Sequence, residues 1–140
     1  MGLNSDRIGH AYPAYRYEVS REKVREYAAA TGVDGPARTA ERGEVVAPPT
    51  FAACFTIGRF DALFSDPELG AHWNLVHGSQ EYVFHRPVRV GDALACTPRI
   101  TDLRARSRLD VLTLEIDCVD ADDGAPVVTS RGTLIFFNKE

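Results

Sequence analysis

The chain has 140 residues, of which 44% are hydrophobic and 26% are charged. This length is enough for one domain and short for two, and the hydrophobic fraction is enough to form a buried core. The 20 acidic and 16 basic residues give a net charge of -4. That balance argues against a nucleic-acid-binding protein, because phosphate contacts need a concentrated basic face. We therefore expect residues 1–140 to form a single domain.

The cysteines and the start of the chain indicate a compartment. Cys54, Cys96 and Cys118 lie far apart, and an odd, scattered set is typical of buried free thiols in a reducing compartment. No two cysteine or histidine residues have zinc-ligand spacing with a second matching pair, so we predict no metal. Residues 1–12 lack the apolar core of a signal peptide, and no apolar run approaches a membrane span. The sequence therefore predicts a cytoplasmic protein without membrane contact.

The first third of the chain predicts a strand, a helix and a loop. Residues 12–17 alternate aromatic and polar groups and can form a first strand or an extended lead-in. Ser20 can cap a helix with its hydroxyl, and apolar residues follow at the spacing of one helix face until Gly32, a natural stop. Residues 33–46, which are rich in glycine, proline and charges, are predicted to be loop.

The rest of the chain predicts one buried helix followed by strands. Residues 51–64 are apolar on nearly every side, so this helix belongs inside the fold. Strand patterns follow after Trp73, including residues 112–118, where apolar and polar groups alternate as in a half-buried strand. Asp122-Asp123-Gly124 indicates a hairpin, and Gly132 on the returning strand indicates a bulge or a close approach.

The order of these elements predicts the fold class. A helix and a loop precede a long apolar helix, and a run of antiparallel strands follows it. A curved antiparallel sheet wrapped around one long central helix satisfies that order. The sequence therefore predicts an α+β protein with the hot-dog arrangement.

Two segments carry a family resemblance. Residues 32–38 read Gly-Val-Asp-Gly-Pro-Ala-Arg, and residues 47–51 read Ala-Pro-Pro-Thr-Phe. They resemble the loop G-D-x-N-P-x-H and the later A-H-G of the MaoC-like (R)-specific enoyl-thioester hydratases and dehydratases. The resemblance implies the same hot-dog fold and a place in fatty acid or polyketide metabolism. It also implies an acyl thioester substrate, carried by coenzyme A or an acyl carrier protein, and no other cofactor.

The chain departs from that family pattern at the residues that carry its chemistry. Gly32 and Pro36 match, but Val33 stands in place of the Asp, Arg38 in place of the His, and Pro49 in place of the Gly whose backbone N–H is the oxyanion donor. Valine transfers no proton, arginine stays protonated, and proline has no N–H. We therefore predict no catalytic residue by the family pattern. Shifting the alignment by one place brings Asp34 to the acid position, but it loses both matches and supplies no His.

The resemblance extends from about residue 7 to residue 137 and is closest to one group within the family. Residues 19–27 and 47–51 look like the non-catalytic HadA and HadC subunits of (3R)-hydroxyacyl-carrier-protein dehydratases, and like the N-terminal halves of fused double-hot-dog proteins. In those enzymes a separate subunit, HadB, supplies the Asp and the His. The resemblance therefore implies an acyl-thioester-binding, catalytically degenerate subunit, inactive alone, in a homodimer or in a heterodimer with a catalytic hot-dog subunit.

The candidate substrate-binding residues also have plainer interpretations. The set comprises Phe51, Phe55, Trp73, His77 and Tyr82. The apolar members can line an acyl-chain tunnel or simply fill the core, and His77, like His85, can be an ordinary polar residue at a strand end. Asp92, in a Gly-Asp pair, is interpreted as a turn residue.

Two other function classes stay open. One is an active homodimeric hydratase, dehydratase or thioesterase that uses another base, such as Asp34, His77 or Glu81. The other is an acyl-thioester sensor or scaffold without turnover. Activity of the chain alone distinguishes the first class from the degenerate subunit.

Overall fold

The computed structural model describes residues 2–139. Five antiparallel strands form one sheet in the order β1-β3-β4-β5-β2. Their bounds are Tyr15–Glu18 for β1, Leu75–Phe84 for β2, Ala93–Ala105 for β3, Leu109–Asp120 for β4 and Pro126–Phe137 for β5. The three long strands β3, β4 and β5 therefore lie in the middle, and β1 and β2 form the two edges.

One face of the sheet forms the core. On β4 the side chains of Leu112, Leu114, Ile116 and Cys118 are buried, and those between them are partly exposed, as the alternating pattern predicts. The predicted hairpin joins β4 to β5, and Gly124 has φ +75°, a conformation that glycine adopts without strain. The core is completed by aromatic side chains from the helical segment that precedes β2.

The first helix follows its sequence signals closely. Helix α1 spans Arg21–Ala30, and the Ser20 hydroxyl accepts a hydrogen bond from the Lys23 N–H at 3.1 Å. The stop at Gly32 has φ +72°. The predicted loop that follows contains a short helix, α2, at Pro36–Thr39. This turn of helix begins with proline, whose fixed φ suits a first helical position.

The predicted buried helix is present but broken. It consists of a 3-10 turn at Pro49–Ala52, α3 at Ala53–Thr56, a 3-10 turn at Ile57–Arg59 and α4 at Asp61–Phe64; we call residues 49–64 the segmented helix. Thr56 has φ -120°, and its hydroxyl donates to the Ala52 carbonyl at 2.8 Å, a bond that often bends helices. Gly58, a poor helix former, lies two positions later. The prediction of one continuous helix was wrong, because the chain changes course near Thr56, whose hydroxyl also lies 2.8 Å from the Tyr82 hydroxyl.

The end of the segmented helix is held by a buried carboxylate. Asp66 accepts hydrogen bonds from the Tyr12 hydroxyl at 2.7 Å and from Arg7 Nε at 3.0 Å. Burial by itself raises the pKa of Asp66, but the bonds from Tyr12 and Arg7 outweigh it and hold that pKa below its usual value. This network fixes residues 7–12 against the helix end.

The structure can also be compared with the expectations about membrane spans, metal sites and cysteines. Within residues 2–139 no helix is long and apolar enough to cross a bilayer. The same residues contain no group of three or more His, Cys, Asp or Glu side chains arranged to hold a metal ion. The three cysteines are free thiols; Cys96 and Cys118 are buried and Cys54 is partly buried. Although 22 positions separate them in the sequence, Cys96 and Cys118 are direct partners on neighbouring strands.

Candidate functional site

The two segments that carry the family resemblance meet at one groove. The Val33 N–H donates to the Ala28 carbonyl at 2.8 Å and folds the turn back onto α1. The Tyr27 hydroxyl donates to Thr50 Oγ1 at 2.7 Å and ties α1 to the start of the segmented helix. The cavity between the segments has a volume of about 450 Å³, and we call it the loop groove. It is lined by Val33, Asp34, Pro36, Ala37, Glu44, Val45, Val46, Ala47, Pro48 and Pro49.

The lining of the loop groove offers little for proton transfer. Val33 and Pro49 both face it, and neither carries a titratable group. Among its described lining residues the ionisable ones are Asp34 and Glu44. Glu44 Oε1 lies 2.6 Å from Arg89 Nε, so this carboxylate is already paired. The Asp34 side chain is 91% exposed and lacks the desolvated surroundings in which enzymes usually place a catalytic acid or base.

Arg38 contacts a residue of the groove lining. Its guanidinium lies 3.3 Å from Oδ1 of Asp34, four positions earlier, and the Arg38 and Asp34 side chains are 46% and 91% exposed. In the described part of the chain, Arg38 is not among the residues that line the loop groove. The three positions at which the chain departs from the family pattern are therefore split, with Val33 and Pro49 on the groove and Arg38 at its outer rim.

A second cavity continues from the loop groove towards the edge of the sheet. The Ala47 N–H donates to the Val88 carbonyl at 2.8 Å, and the Val90 N–H donates to the Val45 carbonyl at 2.9 Å. These bonds hold residues 45–47 beside the chain that follows β2. The cavity, which we call the apolar cleft, has a volume of about 500 Å³ and is lined by Val46, Ala47, Pro49, Phe84, His85, Arg86, Pro87 and Val88. Its mainly apolar lining suits a hydrocarbon chain.

A third cavity lies between the segmented helix and the start of β2. It has a volume of about 330 Å³, and we call it the edge groove. It is lined by Ile57, Gly58, Phe60, Asp61, Phe64, Trp73, Leu75, His77 and Leu134. The Trp73 indole stacks on Phe64 with ring centroids 3.8 Å apart, and 78% of the Trp73 surface is exposed. In the part of the chain that the structure describes, this groove shares no lining residue with the loop groove.

His77 is the titratable side chain of the edge groove with the most defined surroundings. The register of β2 shifts between His77 and Ser79, as in a β-bulge. His77 Nε2 lies 2.9 Å from the Ser79 carbonyl and 3.1 Å from Gln80 Oε1, and its ring packs edge-on against Phe60 at 5.4 Å. The bulge thus aims the imidazole at the segmented helix, where Asp61 also lines the groove.

The five predicted substrate-binding residues do not share one cavity. Trp73 and His77 line the edge groove together. Phe51 and Phe55 are fully buried and pack on each other with ring centroids 6.2 Å apart. The Tyr82 hydroxyl lies 2.8 Å from Thr56 Oγ1 between sheet and helix, and burial raises the pKa of this phenol. The assignment of all five to a substrate site stays a prediction.

The other polar candidates lie outside the loop groove. Glu81 is exposed on β2, 3.7 Å from Arg131, and His85 Nε2 lies 3.0 Å from Thr129 Oγ1 at the apolar cleft. Asp92 accepts the Arg89 N–H at 2.7 Å and pairs with Arg86. This geometry agrees with the interpretation of Asp92 as a turn residue.

Comparison with known proteins identifies the family. Residues 6–130 match the FAS1-like dehydratase domain region. The chain belongs to the FAS1-like dehydratase family. A protein designated UPF0336 from Saccharopolyspora erythraea is 38% identical over 144 aligned residues, which cover 96% of this chain and 92% of that protein.

Solved structures of dehydratases share the fold. The C-terminally truncated HadBC (3R-hydroxyacyl-ACP dehydratase) complex of Mycobacterium tuberculosis contains a chain with TM-score 0.79 and 29% identity, covering 95% of this chain and 99% of that one. A MaoC-like dehydratase has TM-score 0.79 and 28% identity over 93% of this chain and 42% of its own length. The family resemblance and the hot-dog fold class are therefore confirmed.

The cavities are also lined by residues that the sequence pattern did not reveal. Phe60, Asp61 and Phe64 line the edge groove, although their apolar neighbours on the segmented helix suggested only burial. Val46 and Phe84 border the apolar cleft with exposures of 51% and 38%. Only the three-dimensional meeting of β2 with the segments around it shows that these side chains border cavities.

Proposed function

We propose that this FAS1-like dehydratase chain is the acyl-thioester-binding, non-catalytic subunit of a (3R)-hydroxyacyl-thioester dehydratase or enoyl hydratase. It acts with a second hot-dog subunit that supplies the acid–base residues. Its substrate is an acyl chain on coenzyme A or an acyl carrier protein, and its place of action is the cytoplasm.

The observation that carries this proposal is the lining of the loop groove. Hydration of an enoyl thioester needs a group that moves a proton, a group that positions water and a donor for the thioester oxygen. Val33 and Pro49 line the groove, and Arg38 lies at its rim. By the family pattern these are the three positions of that machinery, and none of the three residues performs its step. Removing one oxyanion donor alone costs about a hundredfold or more in rate.

The open edge of the sheet supports a partner subunit. Val76, Val83 and Phe84 on the edge strand β2 are 47%, 49% and 38% exposed. Exposed apolar edge strands are normally paired or covered, because their free N–H and C=O groups invite another strand. The HadBC relative is itself described as a complex. A second hot-dog subunit paired along β2 closes the apolar cleft and the edge groove at the same time.

The cavities support an acyl ligand. The apolar cleft runs from Pro49, beside the loop groove, to Phe84 on β2. An acyl chain whose thioester lies in a partner's active site can enter this cleft across the shared edge, where burial stabilises each methylene by about 0.8 kcal/mol. The chain thus contributes affinity for the hydrocarbon while the partner contributes proton transfer.

Co-expression tests the proposal. The chain is purified alone and together with a hot-dog homologue from the same genome that carries the family Asp and His, and hydration of a short enoyl-coenzyme A is measured. We expect activity only in the pair, and its loss when the homologue's Asp and His are changed to Ala. Asp34→Ala in this chain should leave more than half of the paired activity. Turnover by this chain alone that disappears in the His77→Ala or the Asp34→Ala variant would refute the proposal.

The edge groove favours one alternative function. His77 and Asp61 line the same apolar cavity, and an imidazole near a carboxylate is a common acid–base arrangement. On this alternative the chain is an active homodimeric hydratase, dehydratase or thioesterase that uses His77. The purified chain alone then shows activity, and the His77→Ala variant loses it.

A further inference from the structure

We propose that Cys96 and Cys118 form a reversible cross-strand disulfide under oxidising conditions, which makes the centre of the sheet a redox-sensitive element. The inference is independent of the proposed function. It rests on the register of β3 and β4 and on the position of the pair between a short edge strand and the core.

The register makes Cys96 and Cys118 direct opposite neighbours. The Ala121 N–H donates to the Ala93 carbonyl, so odd-numbered residues of this part of β3 bond to β4. On the other side, the Val19 N–H donates to the Asp92 carbonyl, so even-numbered residues bond towards β1. Cys96 and Cys118 therefore form a non-hydrogen-bonded pair of the β3–β4 ladder.

That type of pair has the spacing that a disulfide needs. In antiparallel sheets the Cα atoms of a non-hydrogen-bonded pair lie about 4.5 Å apart, with their side chains close together on one face. Disulfides span Cα distances of about 4.4–6.8 Å. Both side chains lie on the buried face, with 0% and 1% exposure, so the two sulfurs face each other without a change of strand register.

The chemistry is a two-step exchange with a low-molecular-weight disulfide as the oxidant. The Cys96 thiolate attacks one sulfur of that disulfide and expels a thiolate, which leaves a mixed disulfide on Cys96. Cys118 then loses its proton and attacks the Cys96 sulfur, and a second thiolate leaves. The two protein thiols are oxidised, and one oxidant disulfide is reduced to two thiols. The hydrogen bond with Cys118 lowers the pKa of Cys96, and the same bond with burial raises the pKa of Cys118, which favours Cys96 as the first nucleophile.

Access comes from the edge of the sheet. Cys96 is paired with Tyr15 at the start of β1, and β1 is an edge strand of four residues. Short edge strands open at lower free energy than central ones. Opening of β1 therefore uncovers Cys96 first, while Cys118 on the central strand β4 stays in place as the resolving thiol.

Peptide mapping tests the proposal. The protein is incubated with glutathione disulfide, alkylated and digested with trypsin without reductant. We expect a linked pair of peptides, residues 90–99 with residues 109–131, that dithiothreitol separates. Cys54→Ser should retain the link, whereas Cys96→Ser and Cys118→Ser should each lose it. The urea midpoint of the oxidised protein should lie above that of the reduced protein, because the link constrains the unfolded chain.

Two results would overturn the proposal. For the first, the protein is oxidised in urea just below the unfolding transition, where β1 opens, and is then alkylated. Complete alkylation of Cys96 and Cys118, with glutathione attached to Cys54 alone, would contradict the proposal. The other is a link that forms with an equal or lower urea midpoint, because it would mean that the native register does not accommodate the bond. Both readouts use the unaltered chain, so they hold even where a cysteine variant fails to fold.

Discussion

The loop groove and the edge groove lie at different ends of the segmented helix and present opposite chemistry. The lining of the loop groove includes Val33 and Pro49, and its carboxylates are exposed or paired. The edge groove is lined by aromatic side chains and His77, and it lies beside β2, an edge strand of the sheet. On the proposed function, the loop groove is a site without reactive groups and the edge groove is part of the surface that receives a partner.

The largest expected effect concerns the open edge. Val76→Lys with Val83→Lys places two charges on β2, where a partner strand would have to desolvate them. We expect association with the catalytic hot-dog subunit to weaken at least about a hundredfold, measured by analytical ultracentrifugation or titration calorimetry.

A matched control separates the β2 edge from general surface effects. Ile8→Lys changes a residue of similar exposure, 46%, whose neighbouring Gly9 bonds to β3 on the other side of the sheet. This variant should bind the partner as the unaltered chain does. Equal weakening by both changes would contradict an interface along β2.

The sheet was predictable to the extent that its pattern is local. The alternation of buried and partly exposed side chains from Leu112 to Cys118, the helix cap at Ser20 and the hairpin turn at residues 122–124 are all present in the structure. Each of these signals depends only on residues that are near neighbours in the sequence. The breaks of the segmented helix were not predictable in that way. Thr56 meets Tyr82, 26 positions later, at the point where the helix changes course, and an apolar periodicity contains no information about that contact.

The site was only half predictable for a related reason. Val33 and Pro49 do lie on one cavity, as the two resembling segments implied. A sequence does not distinguish an apolar side chain that faces the core from one that faces a groove. Phe55 and Phe64 therefore had the same interpretation, but Phe55 is fully buried and Phe64 lines the edge groove. The pairing of Cys96 with Cys118 required the strand register, which cysteine spacing does not give.

The next prediction sharpens the description of the edge groove. A Cβ added at Gly132 would lie 2.8 Å from Gln80 Oε1 and 3.1 Å from Phe60 Cζ, so this glycine is the close approach that the sequence indicated. Gly132→Ala should lower the free energy of unfolding by about 1–3 kcal/mol, as overpacking does. It should also displace Phe60 from His77, which is visible in the histidine NMR signals.

Gly58→Ala is the control, because an added Cβ at Gly58 meets no atom within 4 Å. This variant should not be destabilising. A fall of more than about 1 kcal/mol in its free energy of unfolding would contradict the packing described.

The smallest effect is expected at the loop groove and concerns its arginine. Arg38 and Asp34, four positions apart, form an exposed ion pair, and such pairs contribute about 0.2–1 kcal/mol. Arg38→Ala should therefore change the free energy of urea unfolding by less than about 1 kcal/mol. Arg86→Ala is the matched comparison. The half-buried Arg86 side chain donates to Asp92 through two nitrogens at 2.8 and 3.2 Å and to Asp120 at 3.2 Å. Because these hydrogen bonds join charged groups, Arg86→Ala should lower the free energy of unfolding by about 2 kcal/mol. A loss at Arg38 as large as that at Arg86 would mean that Arg38 holds the loop in place. A small loss would mean that Arg38 contributes little to the stability of the fold, so that, on the proposed function, this position can lack the family His without destabilising the loop.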